Sequence, residues 1–147
     1  MARFVLDTNV FIHAIRDEAA RRDLAAWQRR MAPHIYQHAV VVAEILIGAK
    51  DREILDRWHR RWILPAERLG RVFTPGYGAW KRATGIIVNL LEAGALNASG
   101  IRRSFFNDCL LAASGRDHGF TIVTHNVADF ELIASVEPHL RFEPPFP

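Results

Sequence analysis

Two short apolar runs constrain this chain most: Phe4-Val5-Leu6 and Phe120-Thr121-Ile122-Val123-Thr124. Each runs straight into polar residues, Asp7-Thr8-Asn9 after the first and His125-Asn126 after the second. Runs this short and this continuously apolar read as strands of a parallel sheet, where both faces of the strand are covered. A helical pattern follows each, so the chain alternates strand with helix.

The intervening residues fill in that alternation. Val10 to Arg16 reads as a helix capped by Thr8 or Asn9. Asp17 to Met31 reads as a second, with Leu24 and Trp27 at helical spacing, stopped by Pro33. Ile35-Tyr36 is a candidate short strand. Val40 to Ala49 reads as a helix, and Arg52 to Ile63 as another with a basic face, ending near Pro65. Arg71-Val72-Phe73 is a further candidate strand. Thr74-Pro75 is a cap and first-turn pair for a helix over Tyr77 to Glu92, closed by Gly94. Asn97 to Arg103 reads as a loop. Ser104 caps a helix to His118, which Gly119 ends. A short helix holding Asp129 and Phe130 follows the second run, and a last strand is expected near Leu140 to Phe142. The Pro144-Pro145-Phe146-Pro147 tail continues no regular element. The expected fold is an α/β domain with a central, mostly parallel sheet and helices on both faces, one domain over residues 1–147.

Composition narrows the function classes. Half of the 147 residues are apolar, enough for a core, yet no apolar run reaches the roughly 18 residues of a membrane span. Cys109 is the only cysteine, which excludes an internal disulfide and a cysteine zinc site. The chain reads as cytoplasmic. Its net charge of +3 comes from arginine, with Lys50 and Lys81 the only lysines. The arginines cluster at 21–22, 29–30, 57–61 and 102–103. They are either solvated helix faces or bidentate partners for phosphate.

Against this basic background, four acids border apolar segments. Asp7 ends the first strand, Glu44 interrupts an otherwise apolar helix, Asp108 lies near a helix start, and Asp129 follows the second strand. Taken singly, each has an ordinary reading. Asp7 and Asp129 suit helix caps, Asp108 suits a helix dipole, and Glu44 suits an arginine partner. As a set, in a fold that binds ligands beyond the carboxyl ends of its strands, they suggest one acidic cleft. No basic residue stands within two positions of any of the four. A divalent cation would relieve their repulsion, and oxygen-only ligands suit magnesium or manganese.

These residues resemble the motifs of PIN-domain nucleases. Val5-Leu6-Asp7-Thr8-Asn9 is similar to the opening motif and Val42-Ala43-Glu44-Ile45-Leu46-Ile47-Gly48 to the second. Asn107-Asp108-Cys109-Leu110-Leu111-Ala112-Ala113 with Gly119 resembles the third, and Thr121 to Phe130 the fourth. The motifs stand in family order across essentially the whole chain, and its size resembles the VapC-type toxins of toxin–antitoxin pairs. The resemblance implies a PIN-like three-layer fold and metal-dependent cleavage of RNA. It implies that Asp7, Glu44, Asp108 and Asp129 hold Mg2+ or Mn2+. Thr8, Thr124 and Asn126 would orient ligands or substrate, although capping, strand and turn roles also suit them. Arg102 and Arg103 would guide the RNA backbone, and His125 stands where the family often has a basic residue. The implied partners are an RNA substrate, a cognate antitoxin protein and a second copy of the chain, with no membrane. Trp27, Trp58, Trp62 and Trp80 divide, on this reading, between core and partner surface.

Three alternatives remain at the level of sequence. An aspartyl phosphatase would need a second Asp two residues after Asp7, where Asn9 stands. A non-catalytic RNA-binding PIN module would not be expected to keep all four acids. A PIN nuclease of RNA maturation or DNA flaps has the same motifs as a toxin.

Overall fold

The structure is a computed structural model and describes residues 2–146. Met1 and Pro147, the two ends of the expected domain, lie outside the described residues. Five strands form one all-parallel sheet: β1 (Phe4–Leu6), β2 (Ile35–His38), β3 (Val72–Phe73), β4 (Thr121–Val123) and β5 (Phe142–Glu143), in the order β3-β2-β1-β4-β5. Phe4 pairs with Ile35 on one side and with Thr121 on the other, and Leu6 pairs with Val123. The two runs singled out in the sequence are thus adjacent central strands, which explains their continuous apolarity.

The connections place the site. The chain leaves β1 through α1 (Thr8–Arg16) and α2 (Glu18–Met31) to β2, then through α3 (Ala39–Ile47), α4 (Arg52–Trp58) and α5 (Leu64–Arg68) to β3. It returns past β1 to β4 through α6 (Tyr77–Glu92) and α7 (Arg103–His118), and α8 (Val127–Ala134) leads to β5. Strand order reverses at β1. Because parallel crossovers are right-handed, the helices before β3 cover one face and those after it the other. The carboxyl ends of β1 and β4 flank the reversal, where a crevice opens in folds of this kind. Val5, Leu6, Ile122 and Val123 are buried, as are Val10, Phe11 and Ala14 of α1 and the segment Cys109 to Gly115 of α7.

Several expected boundaries shift for physical reasons. Asp7, not Thr8 or Asn9, is the N-cap of α1, its Oδ1 accepting from the Thr8 N–H at 2.8 Å. Strand β2 runs on to His38, whose Nδ1 accepts from the Val40 N–H at 3.2 Å and caps α3 one residue earlier than expected. Pro65 does not stop the basic helix. A π-helical turn over His59–Ile63, in which the Leu64 N–H reaches back to the His59 carbonyl, precedes it. The wider turn accommodates a residue that lacks an N–H and crowds the preceding turn, and α5 continues to Arg68. Gly76, with no side-chain cap, precedes α6 in place of Thr74, and α7 begins at Arg103 with Arg102 as its uncapped N-cap, so Ser104 is already helical. Strand β5 lies at Phe142–Glu143, one step beyond its expected place. Gly94 and Gly119 do end their helices as expected, with φ of 72° and 68°.

Candidate active site

Asp7 sits where β1 ends, its backbone N–H bonded to the Val123 carbonyl of β4 at 2.8 Å. It is buried. One carboxylate oxygen caps α1. The other accepts from the Thr124 hydroxyl at 2.8 Å and from the Asn9 amide at 3.0 Å. Asp7 thus caps α1 with one oxygen and accepts two side-chain hydrogen bonds with the other. Thr124 is fully buried, and its hydroxyl also accepts from the Asn126 N–H at 2.9 Å. The strand-end threonine and the first turn of α1 lock the Asp7 side chain in one orientation.

Glu44 arrives from α3. Its oxygens accept from the Thr8 hydroxyl at 2.8 Å and the Asn107 amide at 3.3 Å, and among the described residues it makes no ion pair. The arginine partner that would make it an ordinary helix glutamate is absent. Asp108 lies in the second turn of α7, next to Asn107. The Asn126 amide bridges Asp108 at 3.3 Å and Asp129 at 2.8 Å. Asp129 is in the first turn of α8. Elements that are distant in sequence thus bring the four expected acids close enough for Asp7, Glu44 and Asp129 to act on the charge of Asp108.

The electrostatics show how little neutralises them. Burial, with the charges of Asp7, Asp129 and Glu44 added, pushes the Asp108 carboxyl up to about 8, against a smaller opposing pull from the Asn126 amide. Burial likewise holds Asp7 above its ordinary value, and the Glu44 charge adds to it. The Thr124 hydroxyl, the Thr8 N–H and the Asn9 amide pull the other way. As the side chains stand, no three acidic or imidazole groups among the described residues close on a single point. Hydroxyls and amides space them apart. The donor set is all oxygen and lacks a partner cation, which suits a hard divalent ion.

The outlying expected residues divide. Arg103 lines a cavity of about 380 Å³ with Glu44, Asn107 and Trp80. Arg102 is exposed at the start of α7 and touches none of the acids. Asn9 and Asn107 were not singled out from sequence, yet each holds an acid. Their signal was adjacency, an amide beside a strand-end Asp and beside a helix-start Asp. Among the tryptophans, Trp27 and Trp62 are buried, Trp58 is half-buried and Trp80 is 48% exposed.

An all-parallel α/β domain with carboxylates gathered at its strand-order reversal defines a class of acid-site α/β proteins. The family model of the PIN domain matches residues 4–135, and the chain belongs to that family. Solved structures share the fold. DNA-bound VapBC from Salmonella typhimurium superposes with a TM-score of 0.73 at 21% identity, covering 99% of this chain and 100% of that one. FitAcB from Neisseria gonorrhoeae gives 0.71 at 20% identity, covering 97% of each chain. VapBC-5 from Mycobacterium tuberculosis, a member of the VapBC family of toxin–antitoxin systems, gives 0.52 at 18% identity and covers 98% of each. No curated protein sequence matches the chain closely enough to count as a relative.

Proposed function

We propose that this chain, acting as one PIN-like domain over its 147 residues, is a Mg2+- or Mn2+-dependent endoribonuclease and the toxin of a toxin–antitoxin pair. The observation that carries the reading is the unneutralised acid set, with the Asp108 carboxyl raised to about 8 by burial and by the other three acids. Asp7, Glu44, Asp108 and Asp129 would hold the metal. When bound, a divalent ion at such a site supplies activation of water and charge neutralisation at a phosphodiester.

The chain's own groups do the rest. Thr124 and Asn9 fix Asp7, Thr8 and Asn107 fix Glu44, and Asn126 sets the spacing of Asp108 from Asp129. Arg103 lines a cavity that also holds Glu44 and Asn107 and would offer a guanidinium to the RNA backbone, with Arg102 beside it. The structures of VapBC and FitAcB complexes support an antitoxin partner for this chain as well. Exposed apolar residues support protein partners more generally: Ile47 is 83% exposed, Tyr77 79%, and Trp80 adjoins them in the fold. A second copy of the chain and an antitoxin are the partners proposed.

The test is cleavage of a mixed pool of purified cellular RNA by wild type and by Asp7→Asn, with Mg2+, with Mn2+ and with chelator. Discrete cuts that need both metal and Asp7 are expected. Cleavage that persists in chelator, or in Asp7→Asn, overturns the mechanism. Induced expression should arrest growth in the wild type and not in Asp7→Asn. Free growth despite cleavage in vitro would favour RNA maturation over a toxin role.

A further inference from the structure

Beside the acid cluster, on the β4 side, lies a cavity of about 160 Å³ whose chemistry the cleavage site does not use. His13 of α1 and His125 after β4 line it, with Asp17, Asp23, Pro145 and Phe146. The two imidazole rings stand 4.9 Å apart at 53° to one another. Phe146 is anchored by stacking on the buried Trp27, at 5.5 Å and 29°. The cavity is joined to the acid cluster through one side chain: Asn9 accepts from the His125 N–H at 3.0 Å and donates to Asp7 at 3.0 Å.

Its lining selects among ligands. Neither arginine nor lysine is among the lining residues, and Asp17 and Asp23 are, so the cavity repels phosphate. A metal ion would be served by imidazole and carboxylate types, but no three such side chains among the described residues close on one point. The lining offers the imidazole rings of His13 and His125 and the ring of Phe146, together with the carboxylates of Asp17 and Asp23. Asp17 commits Oδ1 to the Ala19 N–H at 3.2 Å, capping α2. Burial, and then the charge of His13, hold the His125 imidazole below its ordinary value, so its ring is a neutral stacking surface. The ligand this combination fits is a single flat, uncharged ring that presents hydrogen-bond donors. Unpaired RNA bases are recognised in this way, by stacking and by their Watson–Crick edges. Guanine alone among the four bases offers two neighbouring donors there, N1–H and N2–H, which match one carboxylate.

We propose that this cavity is a base subsite that receives an unpaired guanine of the RNA strand next to the cut, stacked on the His125 ring, with the inclined His13 ring at its side and its donor edge on Asp23. The proposal rests on the nuclease reading and names its substrate preference. Asp23 is exposed on a helix and lies outside the catalytic cluster, so its substitution leaves the fold and the acid site intact.

Mononucleotides test it, since they hold no internal phosphodiester to cut. The full chain in Mg2+ is titrated with GMP, IMP, AMP and UMP while the imidazole nitrogen signals of His13 and His125 are followed by NMR. GMP should shift both signals and bind roughly tenfold more tightly than IMP, which lacks the N2 amino group, or UMP. Asp23→Asn should erase that preference. The cut sites of wild type on the RNA pool should share a guanine at one fixed position, and Asp23→Asn should relax it. Equal responses to all four nucleotides, no response to GMP, or an unchanged preference in Asp23→Asn overturns the subsite. A response confined to Zn2+ titrated alone reassigns the cavity to a metal and also overturns it. GMP binding without RNA cleavage would instead sink the nuclease reading and leave the base subsite standing, so the two failures are distinguishable.

Discussion

Asp108 is held where its own charge is least welcome, and that shapes what its replacement does. Its folded-state carboxyl is raised to about 8 by burial and three acidic neighbours. A raised acid stabilises the fold below its unfolded value and loses that contribution as pH rises towards the folded one. Asp108→Asn removes the charge and keeps the shape. In chelator at pH 8 the variant should be more stable by about 2 kcal/mol or more, a melting temperature higher by roughly 4–8 °C. Its cleavage activity should vanish. Thermal melts with and without chelator read the first effect, and a variant that melts below wild type in chelator at pH 8 contradicts the charge argument. Thr8→Val tests the companion acid. It removes the hydroxyl that fixes Glu44 at 2.8 Å and, on the proposed mechanism, should weaken metal affinity by roughly 10–100-fold while leaving Asp7 in place, readable by calorimetric Mn2+ titration. The four acids were legible in sequence because an unpaired carboxylate beside apolar residues is costly and so conspicuous. Asn9 and Asn107 were not, because a neutral amide in the first turns of a helix has an ordinary local or solvent-facing reading and reveals the acid it holds only once the fold sets the two together.

At the scale of elements, α7 does two jobs at its two ends. Its first turn presents Arg102 and Arg103 to solvent beside Asn107 and Asp108. If these arginines meet the RNA backbone, replacing both by alanine should lower the salt slope of binding, d log K/d log[salt], by about 1.4 in magnitude, near 0.7 for each single-strand phosphate released. Filter binding of an uncut RNA to the Asp7→Asn background from low to high salt measures it, and an unchanged slope removes the pair from the substrate path. The other end of α7 is packing. A Cβ at Gly115 would stand 3.3 Å from Cε1 of Phe120, the residue that leads into β4. Gly115→Ala should therefore destabilise by about 1–3 kcal/mol through overpacking, despite the better helix propensity of alanine. Strand and helix identities were legible because their apolar runs differ in length. The caps of α6 and α7 and the passage through Pro65 were not. Each is settled by the backbone's own local pairing, Gly76 and Arg102 offering their carbonyls to the first turns of α6 and α7 without a side-chain cap and Leu64 reaching five residues back to His59, and no side-chain pattern encodes that.

Across the whole molecule, two buried groups pull the pH profile in opposite directions. His38 is fully buried where β2 meets α3, with Nδ1 accepting the Val40 N–H and Nε2 without a partner among the described residues. Burial, and then the charge of His118, push its imidazole down to about 4. Between about 6.5 and 4 the unfolded chain binds a proton at His38 that the fold refuses, so this group alone costs stability as pH falls through that window. Asp108 has the opposite sign: from 3.8 to about 8 the fold keeps a proton that the unfolded chain has lost, so stability falls as pH rises. The two slopes oppose one another from about 4 to 6.5, and their sum is nearly flat there. Above 6.5 the His38 contribution is complete while Asp108 is still titrating, reinforced by the raised Asp7. The metal-free protein should accordingly lose about 1–2 kcal/mol between pH 6.5 and 8 on the Asp108 contribution, with its melting temperature falling by a few degrees. A divalent ion bound by these carboxylates favours their ionised forms, and its binding to the native state alone adds stability that grows with pH. Melts at half-unit pH steps in chelator and in Mg2+ should therefore diverge above pH 6.5, the chelator curve falling and the Mg2+ curve level or rising. Parallel curves would mean that the ion is not held by the acids that make the apo fold alkaline-sensitive. A chelator curve that rises through the same window would mean that Asp108 is neutralised by something other than a proton.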